Sequence, residues 1–115
     1  PPGIFSTTLV VTVNLGGNMP KAYWVSAYHA IHDEEKFAAY LKLAGPAIIS
    51  AGGKFIARGQ AAQVYEAGIQ QRTTLIEFGS LDAAIAAHDS PEYQDALKAL
   101  DGGVTRDLRV VEGVE

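Results

Sequence analysis

Apolar positions change their spacing several times along the chain, and each change marks an element. From Lys21 to Tyr28 the run Lys-Ala-Tyr-Trp-Val-Ser-Ala-Tyr is aromatic and almost continuously apolar, which suits a central strand. In His32-Asp33-Glu34-Glu35, the Asp33 carboxylate can accept from the free N–H groups of a new helix, and two glutamates complement its dipole. Phe37, Tyr40, Leu41, Ala44 and Ile48 then recur at helical spacing. Pro46 has no N–H and crowds the carbonyl of Lys42, so a kink or short break is expected near Gly45. Gly52-Gly53 should end the helix, since glycine just past the last turn takes the left-handed conformation without steric cost.

A strand is predicted from Lys54 to Gly59, with Gln63 to Glu66 continuing it or forming an irregular edge and Gly68 marking a turn. Arg72 to Phe78 is rich in β-formers and should close an antiparallel hairpin. Ser80 caps a second helix carrying Leu81, Ala84, Ile85 and His88 on one stripe, which stops at Asp89. Ser90-Pro91-Glu92 is a fresh helix start, with proline where its missing donor is harmless. Tyr93, Leu97 and Leu100 should face inward before Gly102-Gly103, and Thr105 to Glu112 supplies the last strand.

The order β-α-β-β-α-β is the split βαβ arrangement of a ferredoxin-like α+β sandwich, a four-stranded antiparallel sheet with its helices on one face. The other face is left bare, and about half of its strand residues must be apolar because the strands are near-continuously apolar. A second copy is the simplest cover, so a homodimer forming a dimeric α/β barrel is expected. Ahead of this domain, Leu9, Val11, Val13 and Leu15 alternate with Val10, Thr12 and Asn14, closed by Gly16-Gly17-Asn18. Met19-Pro20-Lys21 looks like a natural start, so residues 1–18 are set apart as an upstream extension and residues 19–115 as the domain. Because the first strand of this order is paired on both sides, residues 7–15 are expected to form an edge or exchanged strand affecting oligomer size.

Composition narrows the function classes. A formal net charge of −4 and the lack of any Lys/Arg cluster argue against a nucleic-acid partner. Without cysteine, the chain has no disulfide, thiolate metal site or cysteine nucleophile. No apolar run approaches the roughly 20 residues of a membrane span, and no signal peptide is legible, so a soluble, cytoplasmic protein is expected.

Taken together in order, Ala22-Tyr23-Trp24-Val25, Gly52-Gly53-Lys54-Phe55-Ile56-Ala57-Arg58-Gly59, Ile76-Glu77-Phe78, Ser90-Pro91-Glu92-Tyr93 and the closing Val-Val-Glu-Gly resemble the domain of unknown function 1330 family. The resemblance runs from Met19 to Gly113 and implies the dimeric α/β-barrel fold, but the family has no settled activity. Relatives by fold include cofactor-free oxygenases, haem-degrading enzymes and isomerases of small ring compounds, and fold analogy alone does not choose among them. The chain departs from the family pattern at Gln60, where a second glycine is usual, and at Tyr65-Glu66-Ala67-Gly68, where an apolar-Glu-Gly step is usual. Where the family tends to carry an arginine near the end of the second helix, Leu100 is followed by Asp101, so any anion role of that arginine is lost or moved to Arg106.

Several residues could carry chemistry. Glu77 lies within Leu75-Ile76-Glu77-Phe78, where an unpaired carboxylate would be costly, so it should find a cation or a raised pKa. Arg58 is the expected partner, and a structural ion pair is favoured over a catalytic acid or base. His29, His32 and His88 do not stand at metal-ligand spacing and are read as surface or cap residues, with His29 the best candidate for proton transfer. Trp24 is expected in the core, whereas Tyr28 and Tyr93, with Arg58 and Glu66, are ligand-binding candidates, Tyr93 at a pocket mouth. The two Gly-Gly steps are helix terminators rather than phosphate loops. Two functions follow: a small-molecule-binding dimer capable of cofactor-independent catalysis, with Glu77 or His29 moving a proton, or a non-catalytic metabolite-binding or assembly module. Neither requires a metal or cofactor.

Overall fold

The computed structural model describes residues 20–114, which run β1 (Ala22–Ile31), α1 (Glu34–Ser50), β2 (Lys54–Gln60), β3 (Arg72–Phe78), α2 (Leu81–Asp89), α3 (Pro91–Leu100) and β4 (Val104–Glu112). The strands form one antiparallel sheet in the order β2-β3-β1-β4. This is the expected ferredoxin-like α+β order, with the second helical segment divided in two at Ser90. The strand expected over residues 7–15 and the boundary at residue 18 lie outside the described residues. Among the described residues no helix is long and apolar enough to cross a membrane.

Local chemistry accounts for the helix ends. Asp33 accepts from the backbone N–H groups of Glu35 and Lys36 at 3.0 and 3.1 Å, Ser80 from Ala83, and Ser90 from Tyr93. Gly52 takes φ 92° after α1. At Gly53 a Cβ would stand 2.6 Å from Ile48 Cγ2 and 2.9 Å from Phe78 Cε1, so the chain turns tightly under the end of α1 only because no side chain is present.

Three expectations are corrected. The break near Gly45 is absent: α1 is continuous through Pro46. The residue before a proline resists the helical region because its Cβ meets the ring, and at position 45 glycine has no Cβ. The α2 stripe is also rotated from the expected one, with Ala84 and Ala87 buried and Ile85 45% exposed. Trp24 Nε1 donates to the Ala84 carbonyl at 2.9 Å, a close approach that favours small residues on the contact face. Finally, Gln63 to Glu66 form no strand, and residues 61–71 are a loop in which Gly68 N–H donates to the Tyr65 carbonyl at 2.9 Å.

One sheet face carries the core. Ala22, Trp24, Ser26 and Tyr28 of β1 and Thr74, Ile76 and Phe78 of β3 turn toward the helices and are buried, with Trp24, Tyr93 and Phe78 the largest fully buried side chains. The register sends Tyr23, Val25, Ala27, Leu75, Ala57 and Val111 to the opposite face, interleaved with Lys54, Glu77, Asp107 and Arg109. That face is half apolar, as expected.

Candidate functional site

α1 packs along α3, and its backbone approaches no strand comparably closely. The gap between α1 and the sheet is a cavity of about 240 Å³. Its apolar walls include Leu41, Ile48, Phe55 and Leu108, and its side-chain polar groups are Ser26, Tyr28, Tyr40, Thr74, Tyr93 and three arginines, Arg58, Arg72 and Arg106. No carboxylate and no imidazole lines it.

Two β-bulges decide which side chains reach it. The β2–β3 register shifts between Phe55 and Ala57, so that Phe55 opposes Ile76 and Arg58 opposes Thr74, both on the helix side. If the strand instead paired regularly through Ile56, Arg58 would oppose Thr73 and share the face of Glu77. Instead its guanidinium lies 4.7 Å from the centre of the Phe55 ring. The second shift, between Tyr28 and Ala30, leaves His29 unpaired in the bulge of β1.

Arg106 is the hub of the cavity. Its Nη1 donates to Tyr28 Oη at 2.9 Å and Tyr40 Oη at 3.2 Å, with Ser26 Oγ farther off at 3.4 Å, and its Nη2 donates to Tyr93 Oη at 3.1 Å. The Tyr40 and Tyr93 hydroxyls bond each other at 2.7 Å. The guanidinium also lies 5.3 and 5.0 Å from the Tyr28 and Tyr40 ring centres. Burial disfavours its charge, but the oxygens of Tyr40, Tyr93 and Tyr28 outweigh burial and hold its pKa above the ordinary range. Burial lifts the Tyr40 phenol well above its ordinary value, reinforced by Tyr93 and opposed by Arg106, and burial likewise raises Tyr28 against the pull of Arg106. Both phenols are therefore neutral hydrogen-bonding groups near neutral pH, not bases.

A pH dependence follows. A raised phenol pKa means that the folded chain holds the proton more tightly, so this stability is complete below the ordinary value of 10.0 and is lost as pH rises through the folded value. The urea midpoint should fall as pH rises above 10.0, and less steeply in Tyr40→Phe; parallel curves for the two proteins would contradict the assignment.

The sequence candidates divide between the two faces. Tyr28, Tyr93 and Arg58 line the cavity. Tyr93 is 1% exposed and sits deep in the cavity, not at its mouth, because α3 turns it inward against Trp24, the ring centres 4.9 Å apart. Glu77 lies on the other face and pairs with Lys21 at 3.3 Å, so the expected Arg58–Glu77 pair does not form; the bulge at Ile56 separates them. His29 is on that face too, 2.9 Å from Asp107 in a shallow hollow partly walled by Ala67 and Ile69. Glu66 sits exposed in the 61–71 loop at φ 53°, away from both cavities' linings. His32 bonds Thr105 Oγ1 at 2.7 Å and His88 bonds Asp89 at 3.0 Å, and no metal-holding cluster occurs among the described residues. Sequence reasoning missed Tyr40 as more than a core residue and passed over Arg72 altogether. The signal for Arg72 was faint: an arginine opening a strand reads as solvated.

Comparisons with known proteins agree with this architecture. The family model described as Domain of unknown function (DUF1330) matches residues 21–114. Among curated proteins none matches significantly. A protein of unknown function from Rhodopseudomonas palustris is 18% identical, with 85% of this chain and 85% of that chain covered and a TM-score of 0.67. SnoaB, a cofactor-independent oxygenase from Streptomyces nogalater, is 13% identical over 84% of this chain and 95% of its own, with a TM-score of 0.57. A dimeric ferredoxin-like protein of unknown function from Thermobifida fusca is 18% identical over 85% of this chain and 93% of its own, with a TM-score of 0.56. At these identities the likeness is one of fold.

Proposed function

The chain belongs to the Domain of unknown function (DUF1330) family, and on that premise we propose that it is a small-molecule-binding homodimer, each subunit taking one ligand between α1 and the sheet. The observation that carries this reading is the cavity: about 240 Å³, mostly apolar, with polar groups converging on one side chain, Arg106. A mostly apolar hollow with a few oriented polar groups is the usual form of a ligand site. The dimer reading rests on the open sheet face, where apolar Val25, Ala27 and Leu75 occupy the central strands and charged groups stand around them. The Thermobifida fusca relative, described as dimeric, supports the same arrangement.

Binding is favoured over proton-transfer catalysis. Glu77 and His29 project from the opposite face, and the Tyr28 and Tyr40 phenols that line the cavity are held neutral. Cofactor-independent catalysis is the second reading, supported by the fold shared with SnoaB. An assembly role for the segment preceding the domain is a third, tested by deleting residues 1–18 and measuring mass by light scattering.

Saturation-transfer NMR with neutral aromatic probes, benzamide and indole, tests the binding reading. Signals are expected with the wild type and should vanish in Ser26→Leu, which fills the cavity from β1, while far-UV circular dichroism stays unchanged. Absence of signal with the wild type for benzamide, indole and benzoate alike would overturn the reading.

A further inference from the structure

We infer that the molecule taken by this cavity carries an oxyanion, a carboxylate on a single-ring or similarly small apolar body, held by Arg72 and Arg58 opposite the Arg106–tyrosine cluster. This inference rests on the reading of the cavity as a binding site and goes on to name what the site selects.

The first support is a balance of charge. Three guanidiniums line the cavity, and none of them enters an ion pair with a carboxylate among the described residues. The chain as a whole is acidic, at a net charge of −4, so this is a local concentration of positive charge and not a consequence of composition. The Arg106 charge is already held by its phenol oxygens, which leaves the partly buried Arg72 and the exposed Arg58 beside it without a counter-charge, and an anion entering the cavity pairs with both.

The second support is a balance of hydrogen bonds. Arg72 Nε is buried and has no partner among the described residues. Its guanidinium lies 5.4 Å from the Phe37 ring centre, and Gln60 opposes Arg72 as Thr74 opposes Arg58, which makes the two arginines diagonal neighbours on the helix side of the hairpin. At the other end, Arg106 donates to all three phenol oxygens, so each oxygen already acts as an acceptor. Each phenol has one proton to give. Tyr40 and Tyr93 use one proton between them, which leaves the second of that pair and the Tyr28 proton without an acceptor among the described residues. The cavity's side chains thus offer donors in surplus and almost no acceptors. A ligand that matches them brings acceptors and negative charge, and a carboxylate brings both in the planar form that guanidinium groups bind best.

Size and lining define the rest of the molecule. At about 240 Å³ the cavity is smaller than the roughly 300 Å³ at which pockets for drug-sized ligands begin. The aliphatic and aromatic walls, Leu41, Ile48, Phe55, Ile76 and Leu108, suit a compact apolar body rather than a sugar or a nucleotide.

The test uses the full chain and isothermal titration calorimetry with benzoate, phenylacetate and cinnamate against their neutral amides. At least one acid is expected to bind roughly ten- to a hundredfold more tightly than its amide, the range of a hydrogen bond to a charged group. Arg72→Met should reduce that preference to within about threefold while amide binding persists. Arg58→Met, at an exposed position, should reduce it in the same direction and serves if Arg72→Met does not fold. Equal affinity for acids and amides would overturn the anion inference and leave the binding reading standing. An acid preference untouched by either substitution would overturn the assignment to these arginines. No binding of any acid or amide would remove the binding reading itself.

Discussion

Leu75→Glu should convert the protein to a monomer at micromolar concentration. Leu75 stands on β3 directly opposite Val25 on β1, at the middle of the uncovered sheet face. If two copies pair through this face about a two-fold axis, one substitution introduces two carboxylates into the same dry layer. Removing a carboxylate from water without a partner costs several kcal/mol, so dimer affinity should fall more than about a hundredfold. Sedimentation velocity reads the result directly. Ile49→Glu is the control: Ile49 is 63% exposed on α1, away from the sheet, and its substitution should leave the mass as it was. A monomeric wild type, or a Leu75→Glu protein that still sediments as a dimer, would remove the proposed interface.

Trp24→Ala is expected to bring the largest loss of stability. Trp24 is 1% exposed, its ring centre lies 5.2 Å from that of Phe78 and 4.9 Å from that of Tyr93, and its indole N–H holds the Ala84 carbonyl at 2.9 Å. Truncation leaves a void between β1, α2 and α3, and such large-to-small changes cost roughly 3–5 kcal/mol. A small domain has about 5–15 kcal/mol in total, so the variant should be largely unfolded on modest heating. Trp24→Phe keeps most of the ring and loses the hydrogen bond, and should retain the greater part of the stability. Urea unfolding followed by circular dichroism distinguishes them, and a Trp24→Ala midpoint close to that of Trp24→Phe would show that the site collapses around the truncation. Because Trp24 also backs Tyr93, the alanine variant should loosen the arginine–tyrosine cluster as well.

Much of the fold is legible in short stretches. The caps at Asp33, Ser80 and Ser90 form as their side-chain chemistry requires, and Arg72–Phe78 and the division of the second helical segment match the expected limits. Errors arose where two local rules competed. At Gly45-Pro46 the proline signal for a break was answered by the missing Cβ of its neighbour, and on α2 the stripe was set by the close approach of Trp24 to Ala84, not by apolar spacing.

The site was only half legible. Tyr28, Tyr93 and Arg58 were identified by residue type, and Arg106 entered only as a substitute for a missing arginine. Residue type does not tell which face of a sheet a side chain takes once the alternation is interrupted. The extra residue at Ile56 moves Arg58 into the cavity and away from Glu77, and that bulge exists only because β2 pairs with β3 in one particular register. Likewise, Arg106 meets Tyr28 and Tyr40 across separations of 78 and 66 residues, contacts that no local pattern records. Capping and burial periodicity act between near neighbours, so the helices, the four strands of the sheet, their order and its apolar outer face were legible in short stretches. Strand pairing and the standing-off of α1 decided which charges share a cavity, because only the folded chain sets distances between residues far apart along it.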